Sequence, residues 1–263
     1  HFIRQLEAEL GNHTVIRTPR GIFPTASGEQ FLSHARSMLQ EFRTAKNEIY
    51  ELEHLSKGNI RFGISTYRGV YLLPDILRRF HSQYPGISVS ITEKTSRQLE
   101  YEILNGGLDM ALLSLPLKVL KDQDIHLRRT DEVKLICAPG HPILKEAVTD
   151  PVSGTVEIPI SAIGNYTFIF SPADMALGYT ARKLFHEFDV HPLSYPTELS
   201  PLLATAVVRS SNALAFSSAA LSHLAPELTY LPLLPGPYHV ELGIVFSPQG
   251  ASSRACKVFC EYF

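Results

Sequence analysis

Tryptophan is absent from the chain, and cysteine occurs only three times in 263 residues. Three cysteines cannot supply the disulfide framework that staples small secreted domains, whereas this length can bury more than one core of its own. Cys256 and Cys260 stand four apart near the end of the sequence, but no further ligand sits at metal-binding spacing beside them. No run of about 18 apolar residues occurs, so no membrane-spanning helix is expected. An excess of one charge is lacking too. Against 24 Lys and Arg stand 26 Asp and Glu, a net charge of −2, which gives no polybasic signature. Catalytic signatures are missing as well: there is no G-x-S-x-G, no P-loop, no H-E-x-x-H and no Gly-rich dinucleotide fingerprint. The 11 histidines are scattered, with His186 and His191 either side of an expected helix end and His223 and His239 alone. The expectation is therefore a protein that is not an enzyme and has no cofactor and no metal. With no recognisable signal peptide, a cytoplasmic location is expected.

What is present concentrates in the first 57 residues. Ile3, Leu6 and Leu10 fall on one helical face, and Gly11 can close that helix. The stretch Val15 to Pro24 places two apolar patches about a Pro/Gly turn with Arg17 and Arg20, which suits a β-wing on a phosphate backbone. Thr25 or Ser27 can cap the helix that follows. Within it Phe31, Ala35, Met38, Phe42, Ala45, Ile49 and Leu52 recur in steps of four and three, a seven-residue period that makes a seam for a partner helix. Charge adds no support for DNA binding in this region, because seven basic residues balance seven acidic ones over residues 1–57.

These residues resemble the LysR-type family of bacterial transcriptional regulators. Its pattern runs I-x-x-L-E-x-x-L-G, then R-x-x-R, then L-T-x-A-G-E before a long linker helix. Ile3, Leu6, Glu7, Leu10 and Gly11 match, as do Arg17, Arg20, Thr25, Gly28 and Glu29. Thr14-Val15 stand where Leu-Phe is usual, Pro24 replaces Leu and Ser27 replaces Ala. The sequence opens on His1 inside what would be the recognition helix, so the resemblance implies that the earlier helix-turn-helix elements lie outside it. Residues 1–25 are then a partial winged helix-turn-helix and 26–57 a dimerising linker helix. Arg4, Arg17 and Arg20 are the expected DNA contacts.

From Asn59 strands and helices alternate. Ile60–Ile64 reads as a strand, Ser65–Gly69 as a polar loop, and Pro74 as near the start of a helix that Tyr84-Pro85-Gly86 breaks. Lys57-Gly58 is expected to end the linker helix. Ile87, Val89 and Ile91 alternate with polar residues as a half-buried strand, a helix follows from about Ser96 to Leu104, and Leu108–Leu113 is a buried strand carrying Asp109. That β-α-β-α-β order implies parallel strands. A crossing strand over Val133–Ala138 leads into a second α/β lobe. There 145–157 reads as a surface loop, 168–170 as a strand, 178–188 as a helix, and Ser200-Pro201 as the cap of a helix to Val208. Ala213–Phe216 is read as a strand, Ser218–Leu224 as a helix, Val240–Phe246 as a returning strand and Ala251–Phe263 as a terminal helix. The fold class is thus α/β, with two lobes at 58–138 (completed by 248–263) and 139–247. They resemble the type II periplasmic-binding-protein architecture of LysR effector domains.

Ligands of open α/β sheets collect beyond the carboxyl ends of parallel strands. The corresponding loops here hold Ser65, Thr66, Tyr67 and Arg68, then Thr95, Ser114, Phe170 and Ser171, while Glu198 and Ser200 precede a helix of the second lobe. Hydroxyls and open helix starts favour an anionic guest, a carboxylate or sulfonate, with Arg68 as its forked partner. The implied function is a DNA-binding regulator that senses such an effector between its lobes. The partners implied are promoter DNA, RNA polymerase and further copies of the chain, as a homodimer or homotetramer, with no membrane. The rival reading is a solute-binding protein of the same two-lobed fold, which would have no use for the heptad helix.

Overall fold

The structure, a computed structural model, describes residues 2–52, 58–121, 124–151 and 154–263. Helix α1 (Phe2–Leu10) precedes a hairpin of β1 (Val15–Thr18) and β2 (Gly21–Pro24), and α2 (Ala26–Leu52) follows. Gly11, with φ of 64°, supplies the left-handed residue that closes α1. Thr25 rather than Ser27 caps α2, its Oγ1 accepting the Gly28 N–H at 3.0 Å. Glu7 ties α1 to the wing by accepting the Thr14 N–H at 2.7 Å and the Val15 N–H at 3.2 Å. The Thr14 bond is the main reason its carboxyl titrates below the ordinary range.

Along α2, Phe31 and Ala35 are half-buried, but Met38, Phe42 and Ile49 are 63%, 70% and 60% exposed. Ala45 is exposed as well, and the Leu52 side chain lies outside the description. Gly58 does not close this helix. It opens a strand and pairs with Ile87, while Lys57 lies outside the described residues.

That strand, β3 (Gly58–Ile64), begins the first lobe, followed by α3 (Thr66–Gln83), β4 (Ile87–Glu93), α4 (Ser96–Leu104) and β5 (Met110–Ser114). β3 lies parallel to both β4 and β5. The expected polar loop at 65–69 is instead the first turn of α3, where Gly69 N–H reaches Ser65 O at 2.8 Å. Pro74 sits exposed inside the helix rather than at its start. An interior proline costs roughly 3 kcal/mol. Burial of Tyr67, Ile76 and Phe80 along the same helix offsets it. Asp109 receives the Arg61 backbone N–H at 2.8 Å and pairs with the Arg61 guanidinium, locking β3 to the start of β5.

The second lobe holds β6 (Ile125–Cys137), β7 (Val148–Thr149), β8 (Val156–Pro159), β9 (Thr167–Phe168), α5 (Ala176–Glu187), β10 (Leu193–Ser194), α6 (Pro201–Val208), β11 (Ala213–Ser218), β12 (Thr229–Leu231) and β13 (Leu233–Leu234). β14 (His239–Phe246), α7 (Pro248–Ser252) and α8 (Arg254–Cys260) then return the chain. The chain crosses between the lobes in β6, where residues 125–132 pair with β14 and 133–136 with β11, and crosses back between β13 and β14. β14 also pairs with β5, so the first sheet takes in His239–Phe246, residues the sequence had assigned to the second lobe.

Three further expectations change. The 145–157 segment carries an antiparallel β7–β8 pairing, with β8 extended by β13. The 218–224 helix is only a 3-10 turn at Ala219–Leu221, with Ser218 Oγ accepting the Ala220 N–H at 3.2 Å. The terminal helix breaks in two at Ser253, which caps α8 by accepting the Cys256 N–H at 3.3 Å. α8 closes the first core, where Phe259 meets Phe62 and Phe80 edge-on at 5.4 and 4.9 Å.

Candidate functional site

Four helix N-termini converge on one cavity of about 370 Å³ between the lobes. From the first lobe come the starts of α3 (Ser65, Thr66) and α4 (Thr95, Ser96); from the second come those of α5 (Met175, Ala176) and α6 (Ser200, Pro201). Two of these starts are fixed by side-chain caps. Thr95 and Gln98 form a capping box, with Thr95 Oγ1 accepting the Gln98 N–H at 3.4 Å and Gln98 Oε1 accepting the Thr95 N–H at 3.1 Å. Ser200 accepts the Leu203 N–H at 3.4 Å, and Pro201 fills the first helical position. Ser65 and Met175 cap without a side-chain bond, leaving the ends of α3 and α5 open. Ser114, at the end of β5, donates its N–H to Ser96 Oγ at 3.0 Å.

Arg68 and Tyr67 form the polar floor. Arg68 is 95% buried by its 5% exposure, with Nη1 3.4 Å from Ser65 Oγ and Nε 3.7 Å from Asp131 Oδ2. Its Nε has no hydrogen-bond partner. Asp131 lies on β6, is itself buried, and accepts the Tyr71 hydroxyl at 2.5 Å. Tyr67 OH accepts the Ser218 N–H at 2.6 Å and lies 3.3 Å from Ser217 Oγ. Burial pushes the Tyr67 phenol up to about 12, against the lowering effect of its serine partners. Burial and the adjacent Asp131 carboxylate raise Tyr71 further.

Of the residues the sequence singled out, Ser65, Thr66, Tyr67, Arg68, Thr95, Ser114 and Ser200 line this cavity. Phe170, Ser171 and Glu198 do not. Phe170 packs among Phe168 and Phe185 with the Arg182 guanidinium 5.2 Å over its ring. Ser171 is buried and its carbonyl accepts Arg182 Nη1 at 2.7 Å, while Glu198 pairs with the same arginine. The reason is the approach of α5. A Cβ on Gly178 would lie 2.1 Å from Pro172 O, so the 171–172 loop folds down on the helix instead of facing the cleft.

Lys94 lies in the 93–96 strand-end loop expected at the cleft, whereas Gln98, Asp174 and the apolar Met175, Leu177 and Leu202 were not read from the sequence. The available signal was the start of α5: placing it at 178 instead of Ala176 moved Asp174 and Met175 off the cleft.

At the other end of the chain, Arg4 on α1, Arg17 on β1 and Arg20 in the wing turn are all exposed. Cys256 is buried in α8, and no cluster of three or more potential metal ligands occurs among the described residues. No helix among the described residues is long and apolar enough to cross a membrane.

The model of the LysR substrate binding domain family matches residues 53–263. Among curated relatives, the SDS degradation transcriptional activation protein of Pseudomonas sp. (strain ATCC 19151) is 31% identical over 145 residues, or 54% of this chain and 47% of that protein. The chain spans about half the length of the curated relatives it matches. Among solved structures, a full-length OxyR variant from Pseudomonas aeruginosa is similar with a TM-score of 0.71 at 18% identity, over 99% of this chain and 82% of that one. The CcmR regulatory domain of Synechocystis PCC6803, solved in complex with 2-PG, gives 0.65 at 20% identity, over 78% and 95%. These likenesses carry the fold, a two-lobed α/β effector domain of periplasmic-binding-protein type. The family match carries the kinship: the chain belongs to the LysR family of transcriptional regulators, and not to a family of enzymes.

Proposed function

We propose that this chain is the sensing and pairing part of a transcriptional regulator, and that the cavity between its lobes holds a small organic anion. The observation that carries this reading is the meeting of four helix N-termini around the buried guanidinium of Arg68. Free N–H groups and helix dipoles favour negative charge at such a point, and a guanidinium in the lining, that of Arg68, suits a carboxylate. The cavity is large enough for a compact metabolite.

Effector binding changes the DNA-bound assembly only if the ligand prefers one lobe arrangement over another. In the proposed mechanism the seam on α2 pairs two copies, their wings place Arg17 and Arg20 against phosphates, and Arg4 on α1 faces the groove. Met38, Phe42 and Ile49 support this, because these large apolar side chains stay exposed in the single chain, with Leu32 and Leu39 exposed beside them on the same helix. Pairing of effector domains would extend the dimer to a tetramer.

A thermal-shift screen of small carboxylic and sulfonic acids tests the sensing role, with Arg68→Lys as the control. Lysine retains the charge opposite Asp131 but loses the fork, so a true effector should bind about tenfold more weakly. Equal affinity for wild type and Arg68→Lys removes Arg68 from the site, and a panel without any shift removes the organic-anion reading.

A further inference from the structure

We infer that a groove running along α5, beside the cavity, docks an extended acidic segment of a partner protein, seated by an aromatic anchor. The segment lies outside the cavity, so it binds whether or not the cavity is filled.

Two depressions of about 370 and 320 Å³ meet on one face of α5, with Leu115, Pro116, Ala176 and Tyr179 lining both. Ala176, Tyr179, Thr180 and Lys183 recur at helical spacing, so one stripe of α5 forms a wall. α4 and the loop after β5 face it at one end, and β14 with its approach faces it at the other. The charges on these walls are unequally engaged. Arg128 pairs with Glu241 at 3.7 Å. Glu100 is buried and accepts the N–H groups of Lys118, Val119 and Leu120 at 3.0, 2.7 and 3.2 Å. Arg97, Lys118 and Lys183 are left exposed, and none of the three forms an ion pair among the described residues. Against them stands the exposed carboxylate of Asp174, three cations to one. The uncapped N-terminus of α5 adds to the positive side. On a chain whose net charge is −2, a groove of this sign selects a negatively charged partner.

The apolar surface between the cations supplies the anchor point. Tyr101, Val119 and Tyr179 are 46%, 43% and 57% exposed, and Lys118 Nζ lies 6.0 Å over the Tyr179 ring. Exposed aromatic and aliphatic side chains gathered in one depression mark a protein contact, and tyrosine and arginine are the residues on which such contacts turn. Arg97 and Lys118 stand at one end of the groove and Lys183 at the other. An extended chain can reach both ends with carboxylates while one aromatic side chain covers Tyr179. α4 belongs to the first lobe and α5 to the second, so the bound segment bridges them. Its affinity therefore follows the arrangement of the lobes, which gives a partner a way to read that arrangement.

The test is fluorescence anisotropy with a fluorescein-labelled peptide in which runs of Asp flank a single Phe. It is titrated into wild type, Lys183→Glu and Tyr179→Ala, both at exposed positions where folding should be unaffected. Each substitution should weaken binding about tenfold. Replacing the Phe of the peptide by Ala should cost a similar factor in wild type and almost nothing in Tyr179→Ala, because anchor and ring then belong to one contact. A peptide with Lys in place of Asp should not bind. Absence of binding to wild type, or equal affinity in all three proteins, overturns the inference. So does a DNA duplex that loses affinity with Lys183→Glu while the acidic peptide does not, since the groove would then hold phosphates. Sedimentation supplies the last check: if either substitution changes the size of the assembly, the groove lies between copies of this chain and no foreign segment enters it.

Discussion

The Tyr67 hydroxyl accepts the backbone N–H of Ser218 at 2.6 Å, a bond between residues 151 apart in sequence. It runs from the first helix of one lobe to the end of β11 in the other, and both groups are buried. Tyr67→Phe would leave the Ser218 N–H without its acceptor. A buried orphan donor costs about 1–3 kcal/mol, so urea unfolding should show a loss of that size. An unchanged midpoint would mean that water or another group replaces the phenol.

The same phenol makes stability depend on alkaline pH. Its ordinary value of 10.0 is raised to about 12 in the folded chain, and Tyr71 moves in the same direction. The folded protein therefore holds these protons where the unfolded chain releases them. Their contribution is complete below pH 10 and is lost as pH climbs towards 12. Denaturant midpoints measured across that window should fall, in step with late tyrosinate absorbance, and Tyr67→Phe should flatten the decline.

Asp109→Ala should be among the most damaging single changes in the first lobe. It leaves the Arg61 guanidinium without its carboxylate and removes the acceptor of the Arg61 N–H. Breaking a buried pair from one side costs about 3–5 kcal/mol. Chemical denaturation reads this directly, and a loss below about 1 kcal/mol would show that solvent reaches the pair.

Phe42→Glu places a charge on the exposed stripe of α2, where the aromatic side chain is 70% exposed in the single chain. If the stripe is a seam between copies, sedimentation at micromolar concentration should find the variant in assemblies half the size of those of wild type or smaller. The melting temperature of wild type should rise with protein concentration and that of the variant should rise less, because the side chain is outside the chain's own core and acts only through association. Identical sedimentation of the two proteins would exclude the seam.

Arg20→Ala addresses the wing. The side chain is exposed in the two-residue turn between β1 and β2, and in the proposed mechanism it contributes a phosphate contact. In a form of the protein that binds DNA, its removal should weaken all sequences alike and reduce the salt slope by about one. A loss confined to one operator would assign it to base readout instead.

Local chemistry explains what was legible in the sequence. Thr95, Gln98 and the Asn105-Gly106-Gly107 stop bracket α4, and its bounds were read as they occur. Proline misled at α3, since Pro74 marks a helix start only when nothing upstream is buried, and Tyr67 and Arg68 are. The cavity followed the strand-end rule in the first lobe, where the strands are parallel and the loops short. In the second lobe, contacts distant in sequence decide which loop faces the cleft: the close approach of Gly178 to Pro172 turns Ser171 away, and no local pattern announces it. Gly28 is the converse case. Its motif position was visible, but only the 1.9 Å separation between a hypothetical Cβ and Thr14 O explains why no side chain fits.

β6 belongs to both sheets at once, bonded to β14 along one half and to β11 along the other. A strand cannot slide past two partners without breaking both ladders, but it can twist about its own length at small expense. The two halves of the molecule are thus joined as by a torsion bar. Twisting about that bar is checked at two further points, the return of the chain into β14 and the bond from Tyr67 to Ser218.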